Sequence, residues 1–143
     1  MVRINIKLLD KSLPVPKYAH TGDAGLDLYS SIDCTLKPYE RKLVPTGIKV
    51  AIPEGYAGFV QPKSGLAINK GLSLVNTPGL IDSGYRGEIN AILINLDAKN
   101  DIQIKRGDKI CQIVIQKIEN VGIKITDDLD ETSRGEGGFG STG

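Results

Sequence analysis

Glycine and proline recur along this chain between short runs of isoleucine, valine and leucine, and that punctuation leaves room for strands but for little helix. The sequence holds 17 glycines and 7 prolines in 143 residues. Proline cannot donate to a ladder and glycine tolerates tight reversals, so both mark the ends of short strands. Ile4, Ile6 and Leu8 alternate with Asn5 and Lys7, which predicts a half-buried first strand. Further strands are predicted over Leu26–Tyr29, then a pair between Arg41 and Ile52 interrupted by Pro45 and Gly47. Tyr56–Val60 is expected to close a hairpin through Pro53-Glu54-Gly55. Glu88–Leu96 reads as a strand covered on both faces, and Lys109–Ile118 as the longest strand. One short helix is expected after Pro62, capped by Ser64 and stopped by Gly71. The fold expected is therefore all-β, with residues 1–126 as one core domain.

Composition narrows the chemistry. Lys and Arg number 18 against 17 Asp and Glu, with no basic stripe and few aromatics, so no nucleic-acid or membrane surface is expected. His20 is the single histidine, and Cys34 and Cys111 are unpatterned, which excludes zinc, iron–sulfur and histidine-based nucleophile arrangements. Both cysteines sit in strand-like sequence and read as small buried hydrophobes. No segment is long and apolar enough to span a membrane and none resembles a signal peptide, so a cytoplasmic address is expected.

Acid–base work then falls to carboxylates. The stretch Gly79 to Ile89 places three glycines within nine positions, together with Asp82 and Tyr85. It predicts a tight hairpin whose backbone reads a flat ligand while a side chain handles a proton. Taken alone, Asp82 before Ser83-Gly84 is also ordinary turn chemistry. Asp27 lies on the strand face opposite Leu26 and Leu28 and, judged singly, points to water. Lys63, Ser64 and Gly65 precede the expected helix and suit a phosphate as well as they suit a capped surface turn. Gln112 is an amide among isoleucines and needs a partner, either neighbouring backbone or a ligand. From Asp127 the chain turns acidic and polar, predicting a mobile arm over residues 127–143. The arm ends in a glycine-rich run with Arg134, Phe139, Ser141 and Thr142, groups able to close over phosphates and a base.

Five separated stretches resemble the ordered motifs of the dUTPase family. They are Asp23–Leu28, Pro62–Ala67, Gly79–Glu88, Arg106–Gln112 and Arg134–Gly143, spanning nearly the whole chain. The resemblance implies a distorted jelly-roll-like β-barrel or sandwich, a homotrimer, and sites at subunit junctions closed by the arm. It implies Mg²⁺-dependent hydrolysis of dUTP to dUMP and pyrophosphate by water attack at the α-phosphorus, limiting uracil in DNA and supplying dUMP for dTMP synthesis.

By the same resemblance Asp82 is the catalytic base, and Asp27 meets Mg²⁺ through water only. Lys63, Ser64, Gly65 and Gln112 match phosphate contacts. Arg134, Ser141 and Thr142 match the arm's γ-phosphate contacts, Phe139 stacks on uracil, and Gly140 is a further substrate-binding position. Leu80, Ile81, Asp82, Asn76 and Asn90 correspond to the uracil-reading positions, and Tyr85 to the residue packed on deoxyribose. Lys63 and Lys109 stand where the family usually or often has arginine, which keeps the charge but loses a planar two-point grip. Two alternatives accompany this reading: a relative of dCTP deaminase, which shares the fold and triphosphate binding, and a non-catalytic nucleotide-gated regulator. The dUTPase pattern of the Gly79–Glu88 stretch and the arm disfavours the first, and the presence of Asp82, Gln112 and Arg134 disfavours the second.

Overall fold

Period-two alternation sets the strands, as expected for a chain this rich in β-branched residues. In the computed structural model, which describes residues 2–141, the order is β1 (Asn5–Leu8), β2 (Gly25–Tyr29), β3 (Cys34–Leu36), β4 (Arg41–Ala51), β5 (Tyr56–Gln61), α1 (Ser64–Lys70), β6 (Leu72–Leu74), β7 (Gly79–Ile81), β8 (Glu88–Asn95), β9 (Ile102–Ile104) and β10 (Lys109–Lys117). Two four-stranded sheets form, ordered β1-β4-β8-β6 and β2-β10-β5-β7, with β3-β9 as a small third ribbon. The strand pairs are antiparallel. The fold is an all-β sandwich rather than a closed barrel.

One core fills it. Leu28, Leu36, Val44, Ile89, Leu93 and Cys111 are completely buried, and residues from both large sheets and from the ribbon join them. Burial pushes the Cys111 thiol up to about 12, leaving it neutral, and both cysteines are free. Asn95 is a completely buried polar residue beside this core and is fully paired. Its Nδ2 donates to the Leu36 and Asn100 carbonyls, and its Oδ1 accepts from the Asp97 amide.

Several expectations need correcting. Arg41–Ala51 is one strand of 11 residues, longer than the 9 of β10. Pro45 and Gly47 do not break it, because a bulge between Pro45 and Lys49 absorbs the irregularity, with Gly47 at φ 73°. The Pro53-Glu54-Gly55 turn joins strands of different sheets and makes no hairpin: β4 pairs with β1 and β8, whereas β5 pairs with β10 and β7. The same is true of the central glycine-rich stretch, since β7 pairs with β5 while β8 pairs with β4 and β6. Along β8, burial alternates, with Ile89, Ala91, Leu93 and Asn95 inside and their neighbours only half-buried. The short helix exists and Gly71 ends it at φ 67°, but Ser64 is its first residue and Lys63 the N-cap, with no side-chain cap.

Strand structure ends at Lys117, and the Ile118 amide still donates to the Gly55 carbonyl. Residues 119–136 are exposed throughout. No helix of the described residues is long and apolar enough to cross a membrane.

Candidate functional site

The register of the second sheet assembles the first half of the site. Gln112 on β10 pairs with Asp27 on β2 and with Gln61 on β5, so three polar side chains form a row across one face, opposite the core. Around this row lies a pocket of about 320 Å³, lined also by Asp23, Gly25 and Lys63. Asp27 does not point to water. It is only 5 % exposed and accepts from the ammonium groups of both Lys63 and Lys109, the latter at 2.8 Å. Burial of this carboxyl raises its pKa, but the hydrogen bonds and charges of Lys109 and Lys63 outweigh that and hold it below its ordinary 3.8. The same pair raises Lys109 through its hydrogen bond to Asp27. Alternation in β2 indicated the face correctly; the partners that make burial tolerable come from β10 and from the loop after β5, which no local pattern reports.

Gln112 finds the backbone partner its burial requires, its Nε2 donating to the Pro62 carbonyl at 3.0 Å. It also lies against Gly25, where a Cβ would stand 2.2 Å from Gln112 Oε1. Gly25 is therefore fixed by close approach, not by backbone conformation. Ser64 and Gly65 follow Lys63 directly and are exposed in the first turn of α1.

The second half lies beyond the far edge of that sheet. Asp82 follows β7 and is exposed, and Leu80 is 58 % exposed. The Asn76 amide nitrogen packs on Gly79, 3.2 Å from where a Cβ would stand. Tyr85 folds back so that its Oη donates to the Glu88 carbonyl at 2.9 Å, and Asn90 Nδ2 donates to the same carbonyl at 3.0 Å. Asn76, Leu80, Ile81, Asp82, Tyr85 and Asn90 thus all belong to the stretch that runs from just before β7 into β8.

The two halves do not meet within one chain. Ile81 pairs with Gly58 and Gln112 with Gln61. Two strand spacings and about four residues along the strands therefore separate Asp82 from Gln112, roughly 16 Å. That is too far for both to hold one phosphate of the same ligand molecule.

The arm adds a third group. Arg134 Nε donates to the Gly137 carbonyl at 2.7 Å, and the Gly137 and Ser141 amides donate to the Arg134 and Gly138 carbonyls. Phe139 is fully exposed at φ 50°, followed by Gly140 at φ 90°. The hydrogen bonds formed by residues 119–141 are local to that segment. Thr142 lies outside the described residues.

Sequence reasoning missed Gln61, Glu88 and the supporting glycines Gly25 and Gly87, and it gave Lys109 no role beside Asp27. The strand register that brings Gln61 beside Gln112 is a long-range pairing, invisible in the local pattern. The glycines of the Gly79–Ile89 stretch predict a turn, whereas at Gly87, as at Gly25, the structure shows a side chain packed against the bare backbone.

A family model described as dUTPase covers residues 11–143. The chain is 53 % identical over its full length to a Corynebacterium glutamicum protein named deoxyuridine 5'-triphosphate nucleotidohydrolase, spanning 96 % of that protein. A Thermobifida fusca protein of the same name is 51 % identical over 99 % of this chain and 79 % of its own length. Among solved structures, a Staphylococcus bacteriophage 80alpha dUTPase with dUPNHPP superposes with a TM-score of 0.89 at 29 % identity, over 99 % of this chain and 98 % of that one. A phage phi11 dUTPase mutant, described as showing coordination of a structural Mg(II) ion, gives 0.81 at 26 % identity over 88 % and 97 % of the two chains. Sequence over the full length and fold together lead to one conclusion: this chain belongs to the dUTPase family.

Proposed function

We propose that the protein hydrolyses dUTP to dUMP and pyrophosphate, that Asp82 activates the attacking water, and that copies of the chain assemble as a trimer to complete each site. The observation that carries this reading is full-length identity of about half to proteins named for that reaction, in a chain that has Asp82, the Asp27–Gln112–Gln61 row with Lys63 beside it, and the arginine- and aromatic-bearing arm. Hydrolysis of a triphosphate needs little covalent help from a protein; orientation of the water and neutralisation of charge suffice. Asp82 is exposed at the end of β7, free to accept a proton from water. Lys63 and Gln112 bring a cation and an amide to the phosphate side, with Ser64 and Gly65 beside them. Arg134, Ser141 and Thr142 supply the arm's γ-phosphate contacts, with Gly140 beside them on the substrate, and the exposed ring of Phe139 is free to stack on a base. Backbone around Leu80–Asp82, with Asn76 and Asn90, reads uracil, and Tyr85 packs on the sugar and excludes a 2′-hydroxyl.

The separation of Asp82 from Gln112 supports a site shared between subunits, with the arm closing it. Residues 1–126 then act as the core and 127–143 as the closing arm.

Among the described residues no group of three or more His, Cys, Asp or Glu is placed to hold a metal. A single carboxylate already engaged by two lysines fits a hydrated Mg²⁺ carried by the triphosphate and met by Asp27 through water. Bound there, the ion would neutralise phosphate charge. Asp27 would meet such an ion through the ion's waters, and Lys109 and Lys63 hold its carboxyl below the ordinary pKa.

The test is pyrophosphate release with dUTP, dTTP, dCTP and UTP side by side, with and without Mg²⁺. Strong Mg²⁺-dependent preference for dUTP is the expected result. Equal cleavage of all four would overturn the account of base and sugar selection, ammonia release from dCTP would replace the reaction, and no cleavage would reject the enzyme reading.

A further inference from the structure

The residues that hold Tyr85 in place are specific. Its ring folds back over Gly87 so closely that a Cβ there would stand 2.2 Å from the phenol oxygen and 2.4 Å from Cζ. Its Oη donates to the Glu88 carbonyl, which also takes the Asn90 side-chain amide. One carbonyl thus anchors two side chains of the proposed nucleoside pocket. That carbonyl is itself tied down. The Glu88 carboxylate accepts from the Gly47 amide at 2.9 Å, and Thr46 Oγ1 donates to the neighbouring Ile89 carbonyl at 2.7 Å in the buried interior.

Gly47 belongs to the β4 bulge, whose irregular backbone leaves its amide without a ladder partner on β8. Its carbonyl is held as well, accepting from the Leu9 and Asp10 amides. The bulge is therefore a fixed point, and Glu88 transmits its position to the pocket.

We propose that Glu88 is a positioning residue for sugar selection: its carboxylate moors the chain to the Gly47 bulge, its carbonyl sets the Tyr85 hydroxyl, and Gly87 leaves the space the ring needs. This rests on the reading that Tyr85 faces deoxyribose. A steric gate against one hydroxyl works only if the ring cannot give way by a fraction of an ångström, so discrimination depends on the mooring more than turnover does. Glutamine at position 88 keeps an oxygen acceptor for the Gly47 amide, and alanine does not.

The experiment compares kcat/KM for dUTP and UTP in the parent protein and in Glu88→Ala, Glu88→Gln and Gly87→Ala, with thermal midpoints to establish folding. Glu88→Ala and Gly87→Ala are expected to lower the dUTP-to-UTP ratio by about tenfold or more, chiefly through UTP gaining, while Glu88→Gln holds the ratio near the parent value. A parent-like ratio in folded Glu88→Ala would overturn the inference. If that variant does not fold, a parent-like ratio in Gly87→Ala overturns it instead. A parent protein that cleaves dUTP and UTP alike would overturn the sugar reading itself, a result distinguishable from failure of the mooring because it is seen before any substitution.

Discussion

At the scale of single residues, carboxylates divide the work by environment. Asp82 is exposed and stands apart from the lysine-bound Asp27, so the two are not interchangeable. Asp82→Asn keeps the shape and removes the proton acceptor. It should lower kcat on the order of 10²- to 10⁴-fold with little change in affinity for a non-hydrolysable dUTP analogue, as read by calorimetry beside steady-state rates. Asp10 shows a different use of charge. Ser12 and Arg106 hydrogen-bond it, and its pKa falls to about 2 from 3.8. Asp27 shifts in the same direction. A carboxyl depressed by folding contributes stability that is present above its unfolded value and lost as pH falls through the folded one. The thermal midpoint should therefore be flat in these two groups near neutrality and drop as pH goes from about 4 towards 2. In Asp10→Asn that drop should be shallower, as followed by circular dichroism against pH.

At the scale of elements, the bulge in β4 and the arm are opposites. The bulge is held from several sides, by Glu88, by the Leu9 and Asp10 amides, and by Ser31 on the Pro45 carbonyl. The described residues of the arm contribute no side chain to the buried core. Its Leu129 is 86 % exposed, and Val121, Ile123 and Ile125, in the segment leading into it, are each at least 80 % exposed. Ending the chain after Ser133 should therefore leave the thermal midpoint unchanged while reducing turnover to a small residue of the full-length value. Pyrophosphate release and a melting curve on the same sample decide it. Loss of the fold would mean the arm is structural rather than a closing element.

At the scale of the whole molecule, the distance between Asp82 and Gln112 makes a clear demand. If the site is shared, Asp82→Asn chains and Gln112→Ala chains, each inactive alone, should restore one another when co-expressed. Random assembly leaves about a quarter of the sites with both native groups. Turnover returning towards that share supports subunit junctions; none at all would place each site within one chain.

How much of this could be read from the residues differs from place to place. The strands, the stop at Gly71 and the polar tail follow from local rules, because alternation, left-handed glycine and lack of apolar side chains act within a few positions. The face of Asp27 was legible for the same reason. Its burial was not, since Lys63 and Lys109 reach it from elsewhere in the chain. Nor could the glycines at 25 and 87 be told from turn glycines, because what fills their missing Cβ is a side chain of Gln112 in one case and of Tyr85 in the other. The sequence by itself determined an all-β chain and, through its ordered motifs, its resemblance to the family. Tertiary structure alone decided that β7 and β8 part into different sheets and that the candidate site falls into separate halves, because strand pairing is settled by long-range burial of faces and not by the turn between them.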